Sequence, residues 1–322
     1  MKPVGAAATS HPEVSVVLCT HNGEPWLEEQ LQSIATQTRP PDELVVGDDA
    51  SRDGTWGILQ SFARSADFPV HIARHDPALG VIENFEVTLS RSKGRYVALS
   101  DQDDVWLPDR LQRGVEAIRA VEGDGDRPVL SHSDLLLVDA DGQETGERFM
   151  AVRGIDGTPA NMLGVLLRHN LATGCTVTCN RALVDQAMPF PDHLVMHDWW
   201  LALVAASLGE VTFLETPTVR YRQHGSNQVG APPLVGREGL RRVLPGRSTR
   251  QALADVFRQD LELGRRFESS LPAEVQDFIA AIPAGGYRLW RAASRAGVRP
   301  QGLLRRIRFF LETFGGGYRR YL

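Results

Sequence analysis

Asp101, Asp103 and Asp104 stand within four positions of one another in Ser100-Asp101-Gln102-Asp103-Asp104-Val105-Trp106. Three carboxylates held that close repel one another and raise each other's pKa, so the arrangement is costly unless a cation neutralises it. Oxygen donors suit a hard divalent ion, Mg2+ or Mn2+, which keeps open positions for phosphate oxygens of a substrate. A plain acidic turn capping a helix accounts for Asp104 or Asp109 and leaves Asp101 and Asp103 unexplained. Further along, Asp198 precedes an apolar helix, and its competing reading is a helix cap. Trp199 and Trp200 could floor an acceptor site, with core packing the alternative for at least one of them. Arg222 and His224 follow a strand, from which a guanidinium could neutralise phosphate and an imidazole could ligate a metal; an ordinary surface loop is the alternative.

The elements that must position these residues alternate. Val14 to Cys19 reads as an apolar strand that breaks at Thr20-His21-Asn22-Gly23, before a helix from Pro25 to Thr36 with Trp26, Leu27, Leu31 and Ile34 at helical spacing. Leu44 to Gly47 is a second strand ending at Asp48-Asp49-Ala50-Ser51-Arg52-Asp53-Gly54, followed by a helix from Thr55 to Ala66. A strand at Val70 to Arg74 and a helix at Val81 to Ser92 lead to the strand Arg95 to Ser100, which feeds the acidic loop, and a helix opens at Pro108. Such alternation implies an α/β fold with a mostly parallel sheet, whose ligand crevice lies at the carboxyl ends of the strands. The three polar clusters at those ends are therefore expected to converge.

The second half changes character, with a strand at Val129 to Val138, a turn at Asp139 to Gly142, a helix at Met162 to Arg168 and a strand-like stretch at Thr173 to Cys179. A helix at Arg181 to Met188, a helix at Trp199 to Leu208, and two short strands, Val211 to Leu214 and Thr218 to Tyr221, complete the pattern. After Gln228 come arginine-rich helices, with a boundary near Gly230 to Pro233 dividing residues 1–230 from a basic helical region, 231–322.

The length of 322 residues and 42% hydrophobic content suit one large or two modest globular domains. Residues 231–322 carry 17 Lys and Arg against 8 Asp and Glu, a net of +9, so residues 1–230 carry −14 of the overall −5. A basic tail on an acidic body suggests an anionic surface or partner. Cys19, Cys175 and Cys179 form no paired metal pattern and read as buried thiols of a reducing compartment. No apolar run reaches the length of a membrane span. The first thirteen residues read as a frayed leader, with no signal-peptide pattern.

Taken together, Val14 to Gly23, Val45 to Thr55 and Ser100 to Trp106 resemble the family 2 glycosyltransferases of the GT-A nucleotide-sugar fold, over roughly Val14 to Gln228, about two-thirds of the chain. Asn84-Phe85, Asp101 to Trp106 and Tyr221 to Asn227 are most similar to bacterial rhamnosyltransferases of surface-polysaccharide assembly. The resemblance implies Asp103 as the principal metal-binding carboxylate, with Asp101 beside it facing ribose, phosphate or metal, and Asp104 as a further ligand or a cap. It implies Asp49 on the pyrimidine base, where a carboxylate accepts a ring N–H, and Gln102 in the donor site. His21 lies where the family often has a stacking aromatic, while Thr20 and Asn22 bind ribose or close the turn.

Asp198 matches the family's base. One base, one metal and no second carboxylate placed as nucleophile imply a single, inverting displacement. The implied partners are a dTDP- or UDP-sugar and a glycan or lipid-linked acceptor, with no nucleic acid, and the implied location is cytoplasmic, at the inner face of the membrane. The alternating basic and apolar tail, Leu303 to Leu311, reads as an interfacial helix for peripheral membrane contact, or as a contact in a homo-oligomer. A nucleotidyltransferase would place a glycine-rich basic loop after its first strand, and a P-loop enzyme needs a glycine-lysine loop; both are lacking. A non-catalytic nucleotide-sugar-binding module of the same fold is the remaining rival.

Overall fold

Every apolar run of the first hundred residues becomes a strand or the inner face of a helix. A computed structural model describes residues 12–123, 127–224 and 247–322. The strands β1 (Val14–Thr20), β2 (Glu43–Asp49), β3 (Val70–His75) and β4 (Tyr96–Ser100) alternate with the helices α1 (Leu27–Ala35), α2 (Thr55–Ser65) and α3 (Val81–Arg91). They pair in parallel in the order β3-β2-β1-β4. All residues of β1, β2 and β4 are buried, as continuous apolar strands covered on both faces require. Register then sets the site. Thr20 lies opposite Asp48 and Leu18 opposite Ser100, so the loops after β1, β2 and β4 leave the sheet side by side.

Beyond β4 the sheet becomes mixed and the full order is β3-β2-β1-β4-β8-β6-β9-β5. Here β5 (Val105–Trp106) is a two-residue strand, and α4 (Arg110–Arg119) begins two residues after Pro108, where the sequence placed its start. Strand β6 (Val129–Val138) turns at the expected Asp139 to Gly142 and forms a hairpin with β7 (Glu144–Arg148), a strand the sequence did not mark. The short helices α5 (Phe149–Arg153) and α6 (Met162–Leu166) lead to β8 (Thr178–Asn180), which runs antiparallel to β4, and then to α7 (Arg181–Ala187) and α8 (His197–Leu208). The two short strands expected after α8 are one, β9 (Glu210–Arg222): Pro217 sits where its pairing with β6 shifts register, and the ladder resumes at Val219. The stretch Thr173 to Cys179 is a 3-10 turn, Gly174–Thr176, before β8.

Helices α9 (Arg247–Phe267), α10 (Ala273–Ala281), α11 (Gly286–Arg295) and α12 (Leu303–Gly315) follow, and the breaks before α11 and α12 fall at the Pro- and Gly-containing stretches 283–286 and 297–302. The expected boundary near residue 230 lies outside the described residues. These helices share one hydrophobic cluster with α7 and α8: Phe267 faces Trp200 at 6.4 Å, and Phe257 packs edge-on against Phe278 and Tyr318. All three cysteines are free and buried. No helix among the described residues is long and apolar enough to cross a membrane.

Arg110 locks the sheet beneath the acidic loop. Its guanidinium is fully buried, lies 3.8 Å over the Trp106 ring, and donates to the carbonyls of Leu99 (3.0 Å), Cys175 (2.8 Å) and Val177 (3.0 Å). Burial pulls its pKa down to about 9, which leaves it charged at neutral pH. Arg110→Met strips three buried carbonyls of a charged donor and is expected to destabilise the fold by about 3–5 kcal/mol. Urea unfolding should show the midpoint lowered at constant slope.

Candidate active site

The loops after β1, β2 and β4 enclose, with the start of α8 and the end of β9, a cavity of about 780 Å³. Thr20, His21, Asn22, Asp49, Asp101, Gln102, Asp103, Asp198 and His224 all line it, so nine residues picked from distant parts of the sequence meet in one place. The parallel register of β1, β2 and β4 brings the first seven together, while Asp198 comes from α8 and His224 from beyond the end of β9.

Polar clamps hold the loops together. The Gln102 side chain spans the His21 peptide, donating to its carbonyl (2.9 Å) and accepting from its N–H (2.7 Å). Gly23 makes room for this clamp, since a β-carbon there would fall inside the Gln102 amide. His21 Nδ1–H donates to the Asp49 carbonyl (2.5 Å), which leaves Nε2 to accept from Asn22 Nδ2 (3.0 Å) and fixes the plane of the exposed ring. Asn22 and Ala50 sit at φ of 49° and 56°, the left-handed region that side chains resist, on the two loops that frame the cavity. The Asp49 carboxylate accepts the N–H groups of Leu79 (2.6 Å) and Gly80 (2.9 Å) at the entry to α3. Thr20 donates to Asp48 (3.0 Å) beneath the cavity floor.

The acidic loop divides. Asp103 Oδ2 meets His224 Nε2 at 2.8 Å, and the His224 ring is stacked on Trp26 at 4.0 Å between centroids. Asp101 is half-buried beside them; burial first, then Asp103 and Asp198, push its pKa up to about 7. That strain is what a bound cation relieves; Asp101 and Asp103 offer it carboxylate oxygens, His224 an imidazole paired with Asp103, and Asp104 a carboxylate close to that of Asp101. Asp104 points the other way. It is fully buried and outside the cavity lining, its Oδ1 accepts the Arg222 N–H (3.3 Å), and its carboxylate lies with that of Asp101, which does line the cavity, and with the Cys175 thiol in a group whose ligand atoms are within 4.8 Å of one another, close enough to hold an ion. Nor does it cap α4, because β5 intervenes.

Three expectations are corrected. Arg222 is 3% exposed and outside the cavity lining; it donates to the carbonyls of Asp103 (3.1 Å) and Ala140 (3.1 Å) and to Glu29 (2.6 Å), so it is a strap on the acidic loop where a diphosphate contact was expected. Trp199 and Trp200 do not floor an acceptor site. Both are core residues whose indole N–H groups donate to the carbonyls of Leu166 and Ala187, because an apolar helix with no polar face is buried all round.

Asp198 opens on the cavity from the first turn of α8, one residue inside the helix, and Met196 stands at the cap position instead. Its Oδ1 accepts the Trp199 N–H (2.6 Å) and Asn170 Nδ2 (2.9 Å). Burial pushes its pKa up to about 7 against these hydrogen bonds, as a proton acceptor working near neutrality requires. Sequence reasoning missed Asn170, for which no signal exists, and His197, whose ring stacks on Phe85 at 3.8 Å and stays neutral because burial lowers its pKa to about 3. Tyr221 and Trp26 also line the cavity.

Residues 15–125, which contain all three converging loops, match the model of glycosyl transferase family 2. These residues are similar to a family 2 glycosyltransferase domain. RfbG of Shigella flexneri, a dTDP-rhamnosyl transferase, is 26% identical over 236 residues, covering 66% of this chain and 74% of its own. TuaG of Bacillus subtilis, named for teichuronic acid biosynthesis, is 34% identical over 105 residues, which span 33% of this chain and 41% of TuaG. The chain thus covers less than half the length of that relative. Among solved structures, Staphylococcus aureus TarS 1-349 with UDP-GlcNAc superposes with a TM-score of 0.53 at 18% identity, over 95% of this chain and 92% of that one. The Pyrobaculum calidifontis mannosyltransferase PcManGT with GDP-Man and Mn2+ gives 0.51 at 22% identity, over 91% and 77%. These likenesses show the GT-A fold, with helices following the residues that match the family model.

Proposed function

We propose that this chain is an inverting, metal-assisted glycosyltransferase of cell-surface polysaccharide synthesis, which moves rhamnose from dTDP-rhamnose to a glycan or lipid-linked acceptor at the inner face of the membrane. One observation carries the reading: Asp198, a carboxylate with its pKa near neutrality, shares a single cavity with the Asp101–Asp103–His224 donor set. RfbG supports the choice of rhamnose, and the Mn2+ in PcManGT supports a divalent ion.

In this reading Asp103, His224 and Asp101 hold Mg2+ or Mn2+, which when bound supplies positive charge to the departing diphosphate. His21 stacks on the base and Asp49 faces its ring N–H, while Thr20 and Asn22 border the ribose. Gln102 fixes the loop that carries His21. Asp198 takes the proton of the acceptor hydroxyl as that oxygen attacks the anomeric carbon; Asp101 and Asp103 are given to the metal and Asp49 to the Leu79 and Gly80 N–H groups, so the displacement is read as single and inverting. Arg222 acts at one remove by holding the Asp103 carbonyl.

Thermal-shift measurement with dTDP-, UDP- and GDP-sugars, each with Mn2+ or Mg2+, tests the donor. dTDP-rhamnose with metal is expected to raise the midpoint most, by several degrees at saturation; no stabilisation by any nucleotide sugar overturns the donor site. Gln102→Ala removes both hydrogen bonds to the His21 peptide and is expected to weaken donor binding about tenfold with little change in the apo midpoint. Isothermal titration calorimetry reads that ratio.

A further inference from the structure

Helix α12 is mounted with its faces reversed. Leu303, Ile307, Phe310, Leu311 and Phe314 recur at the spacing of one helix face, yet they are 40% to 72% exposed. The side turned to the protein carries buried Glu312 and Thr313 together with Phe309. Arg308 donates to Glu312 (2.7 Å), Arg168 lies 3.6 Å from the same carboxylate, and Arg305 donates to the Arg153 carbonyl (2.9 Å). Polar contacts therefore hold this helix with its apolar stripe outward. Helix α11 extends the patch: exposed Tyr287 lies 5.7 Å from Trp290, Trp290 is edge-on to Phe310 at 5.9 Å, and Phe310 stacks on Phe314 at 5.4 Å. Contiguous exposed aromatics of this kind mark a contact surface.

Charge selects what it contacts. Residues 283–322 contain nine arginines and a single acid, Glu312, which is buried. Seven of the nine are exposed, Arg291, Arg295 and Arg306 among them. A second copy of this chain on the same face would bring two arginine fields together with no exposed acid from residues 283–322 to answer them. An anionic bilayer answers both features, since its headgroup boundary accepts Trp, Tyr and aliphatic side chains while its phosphates pair with guanidinium groups.

We infer that the α11–α12 face is a docking surface for an anionic lipid bilayer, with the aromatic stripe seated at the headgroup boundary and the arginines on lipid phosphates. The argument rests on this face alone, so it survives if the sugar-donor reading fails. Flotation of the full chain with vesicles of phosphatidylcholine, with and without phosphatidylglycerol, tests it. The chain is expected to float with the anionic vesicles at low salt, and about tenfold less with neutral ones or in high salt. A Phe310→Ser/Phe314→Ser double variant should lose about tenfold in anionic-vesicle binding, and Arg291→Glu/Arg306→Glu should lose as much. Both should keep the parent's urea midpoint, because the side chains are exposed, and the parent's nucleotide-induced thermal shift. Absence of vesicle binding by the full chain, or undiminished flotation of the Phe double variant, overturns the inference. So does a dimer in solution that Phe310→Ser dissociates, since that outcome assigns the face to a second copy.

Discussion

Asp198→Asn is expected to lower sugar transfer about 10²–10⁴-fold while the donor nucleotide still stabilises the fold. The amide oxygen can accept the hydrogen bonds that Trp199 and Asn170 now give to Oδ1, so the side chain keeps its place while the proton acceptor, together with the Gly174 N–H contact, is lost. Direct product assay against nucleotide-induced thermal shift separates the two effects; unchanged turnover removes Asp198 from the mechanism. The same carboxylate sets a pH dependence. With a folded pKa of about 7, transfer should rise with pH through an acid limb at or below 7, because a bound cation nearby moves the limb down, and the limb should vanish in the Asn variant. Stability runs in the opposite sense. The folded pKa lies above the unfolded value of 3.8, so folding takes up a proton between them, and this group's contribution is present at low pH and lost as pH rises to about 7. The Asn variant should therefore be more stable than the parent above pH 7, by a margin that shrinks as pH falls toward 4.

Asp103→Ala is expected to abolish transfer, at least about 10³-fold, together with the response to Mn2+ or Mg2+. It removes the carboxylate that meets His224 and sits beside Asp101, leaving the imidazole and one carboxylate, too few to hold a divalent ion. Folding should not suffer, since deleting one of three crowded acids relieves repulsion, and Arg222 grips the Asp103 backbone carbonyl, which the substitution keeps. Activity measured across a Mn2+ titration decides it. Retained transfer with intact metal dependence would dismantle the proposed ligand set. Asp104→Asn separates two ligand sets: retained metal dependence fits Asp103, Asp101 and His224 at the cavity, whereas lost dependence assigns the ion to Asp101, Asp104 and Cys175, whose ligand atoms lie within 4.8 Å of one another.

Local sequence determined the strands, the helices that cover them and the acidic loop, because continuous apolar runs ending in Thr20, Asp48 and Ser100 can be stable only as buried strands with polar loops at their ends. Order and spacing along the chain then marked Asp103 and Asp198. What remained open depended on orientation. Asp103 and Asp104 are neighbours in sequence, and only the pairing of β5 with β9 turns one into the cavity and the other toward Cys175. Trp199 and Trp200 carry no mark that tells a sugar platform from a core, and the helices α9 and α10 packing over α8 decide for the core. Arg222 looked free to bind phosphate until Glu29, 193 residues earlier, was brought to it. The stripe of α12 could be read from its spacing, but the direction it faces was set by Arg168 and Glu312, partners whose meeting is a property of the folded chain.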